Sequence, residues 1–460
     1  MRYRNLSRPN PTSSLRPVTG PRTLPLRSTL QLLDDPASVA QSLRRDVGDI
    51  AFTTALGRPI VVAQGPEAAA ELLADADRAF ANHPVYSFAL GSLFERGLLL
   101  MDAKEHHHAR RIMHAAFTRD RLAGYCRRLH PLVEDWVDHL PAGEVDMRAQ
   151  LKALALRIAL DVFVGEQLTS SETERMSREF DDLIRAGGAM VRLRIPGTVW
   201  GRAHRAKLSV DSFFESLVPQ RRRSPGPDLM SALCQAEGPD GTRLTDSEVV
   251  DQMRFMLFAA HDTATIAMSA MTYQLGRDRL WRDRIRDEAR TASAYPSLSE
   301  LTAQPTMEAV FKEAIRLRPP VPIIPRAATK DTSLAGYHIP AGTFVVALIG
   351  SNHRLPDVWP APDTFDPTRF IDCDAQRHRL AWMPFGGGVH KCIGMHFAYM
   401  ESSTVIHHLA RSVDWTVDSD DYERSDRALT ANVGFTARIT PLSRCAPAVP
   451  QPGETSPSAR

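Results

Sequence analysis

Phe385-Gly386-Gly387-Gly388-Val389-His390-Lys391-Cys392-Ile393-Gly394 sets one cysteine in a glycine-rich turn, two residues after a histidine and just ahead of a helix-like pattern. Glycine has no Cβ, so the backbone here can adopt tight or left-handed geometry and pass close beneath a flat partner. Backbone N–H groups turned toward the sulfur would stabilise its anion. A cysteine in such a loop, taken alone, is most often a small buried residue. A thiolate metal ligand is the minority reading on the cysteine and glycines alone, and the other segments of the chain have to decide it.

Size and composition narrow the classes. The 460 residues contain no internal repeat and no long polar linker, so one large α-rich domain over 30–445 is expected. Residues 1–29 are rich in Arg, Pro, Ser and Thr and read as a flexible arm; residues 446–460 read as a disordered tail. An apolar share of 43% suffices for a core, and a net charge of +2 implies no bulk attraction to nucleic acid or membrane. The five cysteines are widely spaced with no CxxC pair, which argues against a disulfide framework or structural zinc and fits a reducing cytoplasm. The N-terminus lacks both a membrane-spanning apolar run and a signal-peptide core, so a cytoplasmic protein without a membrane anchor is expected.

Along the chain, strands are expected at Ile50–Ala55 and Ile60–Ala63, joined by a turn at Leu56-Gly57-Arg58-Pro59. Helices are expected over Pro66–Ala74, Leu151–Val164 and Ala203–Leu217, and Arg221-Arg222-Arg223-Ser224-Pro225-Gly226-Pro227 reads as a solvated loop. Thr245-Asp246-Ser247-Glu248 is a capping box ahead of a long run, Val249 to Leu275, apolar on most faces; such a helix belongs in the middle of a protein. Pro319-Pro320-Val321-Pro322 ends a helix, Gly336 to Gly342 is a turn between short strands, and Thr343–Ile349 is β-rich.

Three further segments carry chemistry. Ala259-Ala260-His261-Asp262-Thr263 puts an acid and a hydroxyl side by side within the long helix. A carboxyl there can bring protons in from solvent, and the Thr263 hydroxyl can hold a small oxygen species or bond the carbonyl four residues back, that of Ala259. Glu313-Ala314-Ile315-Arg316 places opposite charges on one helix face, and Phe365-Asp366-Pro367-Thr368-Arg369-Phe370 adds a loop arginine. In Asp102 to Arg111, His106 and Arg110 share a helical face; consecutive His106, His107 and His108 cannot all bind one ion.

Taken together, these segments resemble the cytochrome P450 family, over roughly Leu30 to Arg444. The cysteine segment fits that family's Phe, two residues, Gly, one residue, Arg or His, one residue, Cys, one residue, Gly. The resemblance implies a mainly α fold with a small β region, and haem b (iron protoporphyrin IX) bound through Cys392. It implies a haem cradle of Phe385, Gly386, His390, Cys392, Gly394 and Ala259, and propionate partners His106, Arg110, Arg326 and His390. Thr263 and Asp262 become the proton-delivery pair. Glu313, Arg316 and Arg369 become a buried network that fixes the cysteine loop. Ala260 stands where the family usually has Gly, which narrows the oxygen groove, and Ala264 stands where Thr or Ser is common. Substrate contacts are expected from Phe88, Leu98, Phe255, Ala259, Val321, Ile323, Ile324 and Val433, all apolar.

The implied reaction inserts one atom of O2 into a lipophilic small molecule such as a secondary metabolite, terpenoid or steroid. No flavin, iron–sulfur or dinucleotide segment is present, so electrons are expected from ferredoxin and ferredoxin reductase, with NAD(P)H as source. Lys391, Arg111, Arg119 and Arg121 are candidate docking cations. A peroxide-using or rearranging relative, or a haem carrier without turnover, remains the alternative, though neither needs the acid–Thr step.

Overall fold

The computed structural model describes residues 3–23, 25–55, 57–165, 169–187, 189, 192–238, 240–371, 377–418 and 434–442. Helices form its bulk. The capping box closes as expected: Thr245 accepts from the Glu248 N–H and Glu248 reaches back to the Thr245 N–H, opening a helix that runs unbroken from Asp246 to Arg277. This central helix is buried on most faces. It packs against helices Met147–Ala159, Val199–Arg223, Pro305–Leu317 and Met395–Ser412. The main apolar core runs from Leu90 to Ile439 around it, and two smaller clusters lie under the sheet residues.

Among the described residues, the β portion is one sheet of seven strands and two of three. In the large sheet the spatial order is Tyr3–Asn5, Thr19–Pro21, Ile50–Ala55, Arg58–Ala63, Phe344–Leu348, Ile323–Ala328 and Phe80–Ala81. Residues 344–347 pair in parallel with 60–63, and Ile323–Ala328 runs antiparallel to Phe344–Leu348. That pairing holds Ile323, Ile324 and Arg326 over the cavity described below.

Several expectations are corrected. The first residues are not a free arm. Tyr3–Asn5 pairs with Thr19–Pro21, Arg16–Pro17 pairs with Tyr337–His338, and Val18 is 0% exposed. Ladder pairing uses main-chain groups and so needs little apolar pattern in the added strand. Arg58 and Pro59 belong to a strand, opposite Ala55 and Thr54, and Tyr337–Ile339 is a strand within the expected turn. The 151–164 helix begins earlier, at Met147 under an Asp146 cap. It ends in a π-type turn, Leu160–Val164, closed by Gly165 at φ +74°.

The arginine run is not a solvated loop. Arg221, Arg222 and Arg223 form the last turn of the helix Val199–Arg223. Arg221 is buried and donates to the Val164 carbonyl at 2.8 Å; Arg222 donates to the carbonyls of Cys234 and Leu244 and pairs with Asp246. These arginines satisfy chain ends that would otherwise carry unpaired carbonyls. Residues 443–460, with the expected tail, lie outside the described residues.

Candidate active site

The cysteine loop is held by its own backbone. The Cys392 N–H donates to the Phe385 carbonyl at 2.9 Å and the Gly386 N–H to that of Met383 at 3.0 Å. Gly386 and Gly388 adopt φ of +66° and +63°, the left-handed region that favours glycine. A Cβ on Gly388 would also stand 1.8 Å from the Leu73 carbonyl oxygen, so the loop lies directly on the helix Pro66–Ala74. The Cys392 thiol is open to the cavity yet surrounded by protein. Burial pushes its pKa up, opposed by the Gly394 N–H and by the cations Arg110 and Lys391.

Facing the loop across the cavity is the central helix. Its residues Phe255, Ala259, Ala260, Asp262, Thr263 and Ala264 line that wall. Thr263 Oγ1 donates to the Ala259 carbonyl at 2.6 Å, leaving its lone pairs to accept, and the helix stays α-helical through this step. Asp262 is buried beside it.

Charged and donor groups gather near the loop. Arg110 donates to the Lys391 carbonyl at 2.6 Å. The His106 and His390 rings lie 4.0 Å apart, and His390 Nε2 is 3.6 Å from Asp102. Burial, with His390 and Arg110 nearby, drops the His106 pKa to about 3, so this imidazole is a neutral donor. His107 instead meets Arg111, and His108 bonds Thr242 at 3.2 Å, so the three histidines diverge. Arg326 is buried, donates to the Pro325 carbonyl, and forms no ion pair among the described residues.

Behind the loop, Arg316 grips Glu313 with two bonds of 2.6 and 2.8 Å, both side chains being 0% exposed. Arg369 Nε approaches Glu313 at 3.3 Å, and Arg316 also donates to the carbonyls of His353, Pro362 and Thr364. His353 was not foreseen. Its Nδ1 meets the Arg316 carbonyl at 3.2 Å, and its Nε2 accepts the Met383 N–H at 2.9 Å, just ahead of Phe385. It is the link by which the ion pair reaches the cysteine loop. No sequence pattern marks it, because it lies 30 residues from one partner and 37 from the other.

Burial lowers the His353 pKa from 6.5 to about 3. The unfolded chain therefore takes up a proton that the folded chain refuses. The stability contributed by neutral His353 is intact above about pH 6.5 and is lost progressively as pH falls toward 3. Protonation would also remove the acceptor of the Met383 N–H. Unfolding midpoints measured from pH 7.5 down to 4.5 are expected to fall below about pH 6.5; a flat profile would contradict this role.

A family model described as Cytochrome P450 matches residues 18–441. The putative cytochrome P450 136 of Mycobacterium tuberculosis is 38% identical over 434 residues, spanning 91% of this chain and 87% of the relative. The chain belongs to the cytochrome P450 family. The P450 is also similar to the putative cytochrome P450 120 of Synechocystis, 28% identical over 85% of this chain and 89% of that one. Among solved structures, the retinoic acid bound cyanobacterial CYP120A1 superposes with a TM-score of 0.83 at 25% identity, covering 92% of this chain and 99% of that one.

The residues present fit the haem that membership implies. The cavity has a thiol at one wall, and a buried guanidinium without an anionic partner is costly, so Arg326 asks for the kind of carboxylate a propionate would bring. Arg110, His106 and His390 stand ready as further donors. Leu98, Phe255, Val321, Ile323 and Ile324 line the cavity, as do Tyr86, Leu90 and Phe258, which were not anticipated. Phe88 does not: it is 55% exposed under the Arg192 guanidinium. On the helix His83–Phe94, Tyr86 and Leu90 four residues on take the cavity side, leaving Phe88 on another face. Val433 lies outside the described residues. Of the five cysteines, Cys126, Cys234 and Cys392 are free; Cys373 and Cys445 also lie outside the described residues.

Proposed function

We propose that this P450 inserts one atom of dioxygen into a neutral or weakly polar lipophilic molecule of the terpenoid, steroid or secondary-metabolite kind. The apolar cavity wall of Leu90, Leu98, Phe255, Phe258, Val321 and Ile324 above Cys392 carries this reading. The cyanobacterial relative whose structure holds retinoic acid supports a lipophilic ligand.

When bound, the haem would supply dioxygen binding and two-electron activation at an iron ligated by Cys392. The chain's part is to shape and time that chemistry. Apolar side chains exclude water and orient the substrate. Arg110, Arg326, His106 and His390 would hold the haem's propionates. Thr263 accepts a hydrogen bond in the groove, and Asp262 beside it brings protons from solvent. Among the described residues, no helix is long and apolar enough to cross a membrane.

Titrating the ferric protein with terpenoid, steroid, macrolide and aromatic compounds tests the substrate class by displacement of the iron's water. Thr263→Ala is expected to keep ligand binding and to divert roughly 90% of reducing equivalents from product to peroxide, in line with a proton-transfer contribution of at least tenfold. Unchanged coupling would remove Thr263 from proton delivery; no product from the wild type would favour a carrier.

Electrons are proposed to come from ferredoxin and its reductase. Lys391, Arg111 and Arg119 are exposed and Arg121 half-exposed, and Arg110 ties the helix that carries Arg111 to the cysteine loop at Lys391. Reversing Lys391, Arg111 and Arg119 to Glu is expected to slow reduction by ferredoxin at least tenfold at low salt, an effect that high salt masks. An unaltered rate would remove the docking surface.

A further inference from the structure

Arg254, one residue before Phe255 on the central helix, is a charged side chain that the reaction described above leaves unused. It is 1% exposed. Its guanidinium bonds to three helices at once. Nε donates to the Leu93 carbonyl, in the last turn of the helix His83–Phe94, at 3.0 Å. Nη1 donates to Asp211, midway along the helix Val199–Arg223. Nη2 donates to Asp251, three residues back on its own helix, at 2.5 Å. Lys207 holds the other oxygen of Asp211 at 2.5 Å, so two cations face two carboxylates. A buried ion network adds little stability over an apolar replacement. Its forked, directional bonds do, however, admit one arrangement of the groups they join.

Those groups carry the cavity walls. Gln252 donates to the Arg96 carbonyl at 2.6 Å, so the central helix holds the chain at residues 93 and 96. Phe94, between them, meets Phe258 at 4.4 Å and Phe255 at 6.4 Å between ring centres. Phe255 and Phe258 line the cavity, with Leu90 before the gripped segment and Leu98 after it. The helix Val199–Arg223 lends no lining residue among those described. It carries the helix Ser170–Gly187 instead, through Ser209 to Glu179 at 2.7 Å and Arg202 to Asp182 at 3.1 Å. That helix places Ile184 in the cavity. A shift at either Arg254 bond therefore moves lining residues. Apolar contacts are non-directional, so a wall built of them alone adapts to whatever fills it.

We propose that Arg254, through Asp211 and the Leu93 carbonyl, fixes the width of the cavity and so selects substrates by bulk. It does not line the cavity. It is a positioning residue that holds Leu90, Leu98, Phe255, Phe258 and Ile184 at set separations. This rests on the reading of that cavity as the site of a lipophilic substrate, and adds that the molecule is admitted by size.

Imidazole, phenylimidazole and triphenylmethylimidazole test it in the ferric holoprotein, each read by the Soret shift it produces on binding the iron through nitrogen. All three are anchored at one atom, so differences between them report the room around it. Asp211→Asn keeps the volume, leaves Arg254 its bonds to Asp251 and Leu93, and weakens the tie to the helix Val199–Arg223. This variant is expected to bind imidazole as the wild type does. It should bind triphenylmethylimidazole about tenfold more tightly relative to imidazole, the low end of the discrimination that one methylene gives in an apolar pocket. Phenylimidazole should fall between. Asp211→Glu restores the charge and should return most of the wild-type ratio. Arg254→Lys keeps the charge without the fork and should behave like Asp211→Asn. A merely destabilised protein would weaken all three azoles together and leave their ratio alone. An unchanged ratio in Asp211→Asn, or loss of its red-shifted Soret band with carbon monoxide, overturns the proposal. A wild type that gives no Soret shift even with imidazole would instead sink the haem-thiolate reading on which it stands.

Discussion

Cys392→Ser is expected to erase the red-shifted Soret absorption of the reduced, carbon monoxide-treated protein and to cut product formation by about 100-fold or more, the upper end of losses from perturbing a metal ligand's surroundings. A serine hydroxyl stays protonated under conditions where a metal-bound thiol does not. The Gly394 N–H, Arg110 and Lys391, which favour the sulfur anion, would then act on a neutral oxygen. The loop itself should survive, because its bonds from Cys392 to Phe385 and from Gly386 to Met383 are all backbone. Paired optical spectra and turnover of both proteins decide the matter. A variant that keeps the signature would place the iron ligand elsewhere.

Arg316→Ala is the second large effect. The guanidinium makes two bonds to Glu313 and donates to the carbonyls of His353, Pro362 and Thr364. Its removal leaves a fully buried carboxylate with only the Asp366 N–H at 2.9 Å and the Arg369 contact at 3.3 Å among the described residues, and a broken buried pair costs about 3–5 kcal/mol. The loss should reach the cysteine loop through His353 and Met383, so the variant is expected to bind haem poorly as well as unfold at lower denaturant. Replacing both partners, as in Glu313→Leu with Arg316→Leu, should cost less stability than the single change, because neither charge is then left alone. A single variant as stable as the wild type, with full haem content, would show the network to be dispensable.

The ten residues around Cys392 were legible because their function depends on local spacing. A glycine needed at φ +63° and a cysteine four residues later are written in adjacent letters. The same holds for the capping box, whose donor and acceptor are three residues apart, and for the Glu313–Arg316 pair. Leu98, Phe255 and Ile324 could be placed at the cavity because they lie in segments that resemble the family's pocket-lining ones.

Other features had no such local mark. Phe88 is as apolar as Phe255, and only the rotation of its helix sends it to solvent. The early strands lack an apolar pattern because main-chain bonds to distant strands define them. The arginines after Gln220 read as solvated until carbonyls from residues 164, 234 and 244 arrive around them.

By itself, then, the order of amino acids determined the family, the glycine-rich loop that carries Cys392 and the helix that carries Asp262 and Thr263, since each is encoded within a few neighbouring positions. Only the tertiary structure decided that His353 ties the ion pair to the loop, that Arg326 is buried without an ion pair among the described residues, and that Glu401 lines the cavity. Those properties depend on desolvation and on partners tens of residues away, which exist only once the chain has closed on itself.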